Sequence, residues 1–374
     1  MNTQSESITI RPVNPDDQVA FDAAVDHPLQ SWAWGDFRAS MGHDVLRLGV
    51  YHGDTLQQGY TLTAHKMPLP VPGFWGQVIL YCPRSHLPNH AVLEGIKQEA
   101  KKARGMLVRF EPDVAVPIDP ETDETNPMLD NPELEVATFL NRLDVKDGRA
   151  LFTEYDFWLD LTPSDDELMK NMKSKTRYNL RLARRKGVEV QEDNSDEAFE
   201  TYLALMEETT LRQGFFAHSV EYHRKMWQTL RDAGIAHLFT ASYQDEIITT
   251  WILFKWKDRL YYPYGASSRR HRNVMANNLM MWTAIQFGKE HGCTSFDLWG
   301  TAGRIPDPED SWAGFHRFKQ GFGPQMVQYI GTYDFVVDGL RYPLLMKMEE
   351  WRHQWLDRLA ERRRRQTAIE KTNN

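Results

Sequence analysis

Tyr261-Tyr262-Pro263-Tyr264-Gly265-Ala266, then Asn277-Asn278, then Phe296-Asp297-Leu298-Trp299-Gly300, then Phe318-Lys319-Gln320-Gly321-Phe322: this succession decides the fold. It reads as an aromatic strand, an amphipathic helix, a second strand ending at Asp and Gly, and a lysine set among aromatic rings. The order places one cation, with the makings of a buried one, beside a splayed sheet and an aromatic-walled cleft.

Working outward, residues 237–241, 246–255 and 259–264 alternate as three consecutive antiparallel strands. Helical periodicity covers 195–211 and 220–233 before them and 273–291 after them; 295–299 is a further strand. The first half repeats the pattern. A helix over 18–40 breaks at His27-Pro28, and strands follow at 45–51, 58–64 and 77–82, then a helix at 90–103 and a short strand at 106–110. Residues 112–133, rich in Pro and acids, read as a surface loop. Phe157-Trp158-Leu159-Asp160-Leu161 reads as the strand that closes this half. The match between halves points to a weak internal duplication. We expect a domain over 1–161, completed by a returning strand (329–337) and a long terminal helix within 324–374, and a second domain over 162–323.

The length of 374 residues suits two domains, and 41% apolar with 12% aromatic residues suits packed cores. A net charge of −8 means that any polyanion site must be a local basic patch. Cys82 and Cys293 are far apart and read as reduced buried thiols, and thirteen histidines lack ligand spacing, so no metal is expected. No apolar run is long enough to span a membrane and no leader is recognisable, so a cytoplasmic protein is expected.

No G-x-S-x-G elbow, H-E-x-x-H, Walker A or C-x-x-C occurs. An acyl-CoA transferase should open its central helix with a glycine-rich turn whose N–H groups hold the pyrophosphate. This chain has Arg272-Asn273-Val274-Met275-Ala276-Asn277-Asn278 there. That argues against coenzyme A as donor.

The two halves resemble the α+β arrangement of GNAT acyltransferases, with splayed mixed sheets. More specifically, the chain resembles the Fem family, the aminoacyl-tRNA-dependent ligases of peptidoglycan cross-bridges. The segments that carry the resemblance are 30–37, Tyr81-Cys82-Pro83-Arg84, Arg109-Phe110-Glu111-Pro112, Lys173-Ser174-Lys175-Thr176-Arg177, 262–266, 297–300 and 318–322, in family order from about residue 30 to 335. The resemblance implies two tandem GNAT-like domains, no cofactor, and a muramyl-pentapeptide acceptor (UDP-MurNAc-pentapeptide or lipid II) in the first domain and the interdomain cleft. No coiled-coil arm interrupts the second half, so the compact form is expected.

By resemblance, Lys319 of F-K-x-x-F stabilises the oxyanion of aminoacyl transfer; its neighbours Phe315, Phe318 and Phe322 fit a shielded site. Arg38 falls where the family grips the acceptor phosphates, a task suited to a planar guanidinium. The second phosphate position falls on His218, a departure, since histidine is only partly charged at neutral pH. Tyr222 and Tyr264 match aromatics that line the peptide channel, and Glu111 matches a carboxylate that positions the acceptor amine. Met106 stands where some relatives have tyrosine. Trp299 is a cleft candidate, and Trp34 and Asn277 are structural ones.

Residues 168–187 hold Lys170, Lys173, Lys175, Arg177, Arg181, Arg184 and Arg185 with no acid among them. That is the natural tRNA surface, the alternative being a solvated face, and Tyr178 and Leu180 point to one stripe packed on the protein. The terminal Arg362-Arg363-Arg364-Arg365 fits a helix C-terminus, anionic lipid or tRNA. Trp351, Trp355 and Leu359 form an apolar face expected to pack on the body, with peripheral contact at the inner membrane leaflet as the other reading. The rivals to an aminoacyltransferase are a CoA-dependent N-acyltransferase and a non-catalytic RNA- or membrane-binding protein.

Overall fold

The structure, a computed structural model, describes residues 8–66, 74–119, 145–213, 218–307, 310, 312–351, 355 and 358. Its strands are β1 (Ile8–Pro12), β2 (Asp44–His52), β3 (Thr55–Lys66), β4 (Val78–Ser85), β5 (Gly105–Pro112), β6 (Ala115–Ile118), β7 (Val145–Asp147), β8 (Tyr155–Asp160), β9 (Glu189–Glu192), β10 (Ala236–Tyr243), β11 (Glu246–Trp256), β12 (Arg259–Ser267), β13 (Ser295–Gly300), β14 (Gln325–Tyr329) and β15 (Tyr333–Val336). The helices are α1 (Gln18–Ala23), α2 (Trp32–Ser40), α3 (His90–Lys102), α4 (Asp165–Asn171), α5 (Ser174–Lys186), α6 (Asp196–Gln213), α7 (Val220–Asp232), α8 (Ala276–Glu290) and α9 (Ala313–Gln320). The architecture is α+β, with two mixed sheets.

One sheet runs β1-β2-β3-β4-β5-β15-β7, the other β6-β14-β8-β13-β12-β11-β10-β9. Each contains a parallel pair, β4–β5 and β12–β13, joined by a crossover helix, α3 or α8. In the second sheet the parallel pairing stops at Tyr261↔Asp297, and β12 continues only along β11. The strands therefore diverge beyond that point, opening the sheet at Tyr264 and Trp299. In the first sheet pairing continues to Ser85↔Pro112, and no comparable gap opens.

Sheet membership crosses the boundaries expected from sequence. Residues 157–161, read as closing the first half, pair instead with β13 and β14 in the second sheet. The single returning strand expected at 329–337 is two: β14 joins the second sheet and β15 the first. Gly331, at φ 108, makes the turn between them, a conformation that a side chain would resist. The basic stretch is also split. α4 starts on a Ser164–Glu167 capping box and ends before Lys173, so α5 is a separate helix, closed by left-handed Gly187. β1 and β9, short edge strands, had no sequence expectation.

Each sheet has its own core, and a further cluster joins the halves. Leu29, Ala33, Trp34 and Phe37, on or beside α2, pack with Phe199, Tyr202, Tyr222, Trp227 and Leu238 of the second half. The chain is helical from 342 to 351, and again at 355 and 358; residues 362–365 lie outside the described set. Tyr342 and Leu345 pack with Phe74, Met106 and Leu107. Trp351 and Trp355 are 68% and 61% exposed, so the face expected to pack on the body faces solvent. Leu359 lies outside the described residues.

Candidate active site

Lys319 sits in the last turn of α9, and its side chain is fully buried. Its Nζ donates to the carbonyl oxygens of Trp299 at 3.1 Å and Gly300 at 2.7 Å, at the end of β13 that is no longer paired with β12. The Phe315 ring centroid lies 3.9 Å away, a cation–π contact, and Tyr262 is at 5.8 Å. The backbone that presents these carbonyls is unusual: Trp299 has φ 63, and its N–H donates to Asp297 Oδ1 at 2.7 Å. Aspartate fixes such local turns by accepting from the backbone two residues on.

Two buried carboxylates supply the countercharge, Asp156 and Asp297. Burial brings the Lys319 ammonium down to about 7, opposed by the attraction of Asp156 and Asp297. Burial, then the charge of Asp297, pushes Asp156 up to about 7, while Arg84 and Lys319 pull it back. Thr153 Oγ1 donates to Asp156 Oδ1 at 3.0 Å, and Arg84 lies 3.7 Å from Asp156. An ammonium has three donors. Two are on the carbonyls of Trp299 and Gly300, which leaves a third. Asp297 was visible in the sequence motif. Asp156 was missed, and its one signal was a carboxylate flanked by Tyr155 and Phe157 in an apolar strand.

A second group converges where α2 meets α7. Arg38 Nη2 lies 3.0 Å from His43 Nε2, and its charge acts on Tyr222, Tyr264 and Tyr81. The Tyr222 and Tyr264 hydroxyls are 3.3 Å apart, and Phe37 packs edge-on to Tyr222 at 4.9 Å. His218 stacks on Tyr222 at 3.8 Å. Burial and the nearby Arg38 charge both lower the His218 imidazole, so at neutral pH it offers a hydrogen bond rather than a cation. Burial, then His43 and Arg38, bring His65 down to about 4. Arg38, His218, Tyr222 and Tyr264 are thus brought together, with His43, His65 and Tyr81 as neighbours that sequence reading missed.

Glu111 joins this group through Tyr81. Tyr81 donates to its Oε2, while Leu151 N–H (2.7 Å), Phe152 N–H (3.2 Å) and Thr332 Oγ1 (2.8 Å) donate to Oε1. The buried carboxylate binds the 151–152 backbone to Thr332, a structural task in its own right. Trp299 rings the opening with His27, Phe152 and Tyr261 as aromatic neighbours. Asn277 accepts from Trp251 Nε1 at 3.2 Å, a structural role.

Of the basic residues, Lys170, Lys175, Arg181, Arg184 and Arg185 are exposed. Arg177 instead donates to the carbonyls of Lys170 and Met169 at 3.1 and 3.2 Å, and to that of Met172, capping the end of α4. Lys173 donates to Gln320 Oε1 at 2.6 Å, next to Lys319 in sequence. Leu180 is buried as expected, whereas Tyr178 is 56% exposed among the cations, 6.0 Å from Arg185.

A family profile described as an acetyltransferase (GNAT) domain matches residues 170–312. Lipid II:glycine glycyltransferase of Staphylococcus aureus (strain MRSA252) is 23% identical, over 86% of this chain and 90% of that protein. The same enzyme from strain USA300 matches to the same extent. Among solved structures, FemX superposes with a TM-score of 0.75 at 20% identity, over 90% of this chain and 99% of that one. The structure of L-PGS from Bacillus licheniformis reaches 0.50 at 13% identity, over 90% and 96%. Along most of its length the chain is thus similar in sequence to lipid II:glycine glycyltransferases and in fold to FemX.

Proposed function

We propose that this chain is an aminoacyltransferase that moves an amino acid from aminoacyl-tRNA to the side-chain amine of a peptidoglycan stem peptide, building the interpeptide bridge. The observation that carries the reading is the buried Lys319 ammonium, fixed by two carbonyls at the splayed end of β13 with a donor to spare. The curated relatives' activity on lipid II supports this substrate class.

In the reaction the acceptor amine attacks the ester carbonyl carbon. An N–C bond forms, the carbonyl oxygen becomes an oxyanion, and the remaining Lys319 N–H bonds to it. The C–O bond to the tRNA ribose then breaks; the ribose oxygen takes a proton and the amine loses one. The ester is already activated, so one well-placed donor, worth about 3–4 kcal/mol, is a fitting protein contribution. No cofactor or metal enters this balance.

Arg38 and His218 would take the acceptor's phosphates, with Tyr222 and Tyr264 along the peptide. Trp299 would wall the cleft. Glu111 would position the acceptor through the 151–152 segment that it holds. The exposed Lys170, Lys175, Arg181, Arg184 and Arg185, with Tyr178, form the tRNA surface, and Lys173 and Arg177 shape its junction with α9. The precursor-binding half would be the sheet β1-β2-β3-β4-β5-β15-β7 with its helices, and the partner half the sheet β6-β14-β8-β13-β12-β11-β10-β9 with its own. The reaction belongs on the cytoplasmic side, where charged tRNA is found.

The test is incubation with charged total tRNA and either UDP-MurNAc-pentapeptide or lipid II, followed by mass spectrometry of the product. A gain of one aminoacyl residue is expected; an unchanged acceptor in both arms refutes the reading. A CoA-dependent acyltransferase would instead be stabilised against heat by coenzyme A alone.

A further inference from the structure

Arg84, near the end of β4, is a buried arginine whose backbone sits at φ 45, in the left-handed region that side chains resist. It is the bulged residue of the β4–β5 pairing: Pro83 pairs with Glu111 and Ser85 with Pro112, and Arg84 is left between them. A bulge re-aims a side chain. This one carries the guanidinium from the first sheet to residues of the second. It lies 3.4 Å over the Tyr329 ring of β14 and 3.7 Å from Asp156 of β8, with the Phe152 ring at 5.1 Å. Strained backbone of this kind persists only where its surroundings hold it in place.

Both carboxylates beside Lys319 are tied to this guanidinium. Asp156 stands opposite Gly300 across the β8–β13 pair, and the Gly300 carbonyl accepts from the Lys319 ammonium. Thr153, the donor to Asp156, fills the space that a side chain at Gly300 would need. The Tyr329 hydroxyl, on the ring beneath the guanidinium, donates to Asp297 Oδ2 at 3.5 Å. Arg84 thus reaches Asp156 directly and Asp297 through Tyr329.

The proton shared by Lys319 and Asp156 has two resting places. The pair is either ammonium and carboxylate or amine and carboxylic acid, and the two forms hold the same number of protons. Burial favours the neutral form, whereas only the ammonium presents a charged donor to an oxyanion. A guanidinium keeps its charge at neutral pH. Placed beside Asp156, it stabilises the carboxylate and tilts the balance toward the ammonium. The other charged and titratable groups nearby do not replace it. Arg259 is paired with Asp113 at 3.5 Å, though its charge also bears on Asp297. His27 is held neutral by burial and by the charges of Arg84 and Arg259, and burial, then Lys319, lowers His316 on α9.

We infer that Arg84 is a positioning residue of the Lys319 site: from the bulge in β4 it holds the Asp156 carboxylate, and through Tyr329 that of Asp297, as the countercharge of the Lys319 ammonium. What the ammonium then does rests on the transfer reading. Its protonation becomes dependent on a residue of the other sheet, the one read as binding the precursor.

The test follows Lys319 by NMR in full-length protein isotopically labelled at lysine Cε, its signal assigned by its loss in Lys319→Met, together with the pH profile of transfer. In Arg84→Met the midpoint of the Lys319 titration and the alkaline limb of kcat should both fall by at least about one pH unit, while KM for the acceptor stays near the wild-type value. Arg84→Lys, which restores a positive charge, should recover most of that shift. In an Asp156→Asn background Arg84→Met should add less than about half of it, because the two residues act in series. An unmoved midpoint in folded Arg84→Met overturns the inference, as does an equal fall in Arg84→Lys or the full shift on top of Asp156→Asn. Should Arg84→Met fail to fold, Arg84→Gln, also uncharged, carries the same expectation. A wild type that transfers no residue to either acceptor would sink the transfer reading, while the NMR midpoints still decide the role of Arg84.

Discussion

Replacing Lys319 by methionine keeps the length of the side chain and removes its charge and donors. Two effects follow, and they can be separated. The carbonyls of Trp299 and Gly300 lose their donor, at about 1–3 kcal/mol each, while the cost of burying an ammonium disappears. Asp156 and Asp297 lose their nearby cation and take up protons more readily. The folded state therefore changes by a few kcal/mol at most, which a denaturant titration records. The chemical step loses the donor to the oxyanion, about 3–4 kcal/mol, or roughly 10²–10³ in kcat. KM for the acceptor should stay near its wild-type value, because Arg38 and the tyrosines lie in a different group of side chains. Lys319→Arg should not restore the rate, since a guanidinium overfills a site closed by Phe315 and Tyr262. Single-turnover transfer from purified aminoacyl-tRNA is the assay. A folded Lys319→Met protein with kcat within about threefold of wild type would refute the oxyanion role.

Burial lowers the Lys319 ammonium to about 7, so its electrostatic help is present below that pH and lost as pH rises above it. The kcat profile should fall on the alkaline side from about 7, and Asp156→Asn should move that limb to lower pH by removing an influence that raises the Lys319 pKa; an unmoved limb contradicts the coupling. Arg109→Met strands the wholly buried Asp334 and should cost about 3–5 kcal/mol in urea unfolding, with much of it regained in the Arg109→Met, Asp334→Asn double variant. A loss below about 1 kcal/mol would show that the pair is inconsequential. Changing Lys175, Arg181, Arg184 and Arg185 to Gln should weaken tRNA binding and flatten the log–log salt slope by about 0.7–0.9 for each phosphate no longer neutralised. An unchanged slope would place the tRNA elsewhere.

Much of the second half was legible because hydrophobic period, turn residues and helix caps agreed there. Ser164 and Glu167 mark the start of α4, and 246–256 alternates as β11 does. Lys319 was legible because its aromatic neighbours imply shielding from water, and the structure encloses it with Phe315 and Tyr262. Asp297 lay in the motif beside it, but its other partner was not legible. Asp156 is distant in the chain, brought close by β8 pairing with β13, and no local pattern reports a pairing between remote strands. The capping role of Arg177 was hidden for a similar reason: a run of cations looks uniform until the break between α4 and α5 gives one of them three carbonyls. The exposed terminal tryptophans reversed the expectation because an i, i+4 stripe states that a face is apolar, not what lies opposite.

The passage from Gln325 to Val336 has a consequence for the molecule as a whole. β14 lies between β6 and β8 in one sheet, and β15, just past Gly331, lies between β5 and β7 in the other. This short run is a stitch through both halves, and neither can lose it without opening a gap among its own strands. Severing the chain at residue 161 would leave two fragments that still share their sheets, because β14 and β15 follow the cut while β6, β8, β5 and β7 precede it. Melting should accordingly proceed in one step, and any large rocking of the halves must bend at the stitch.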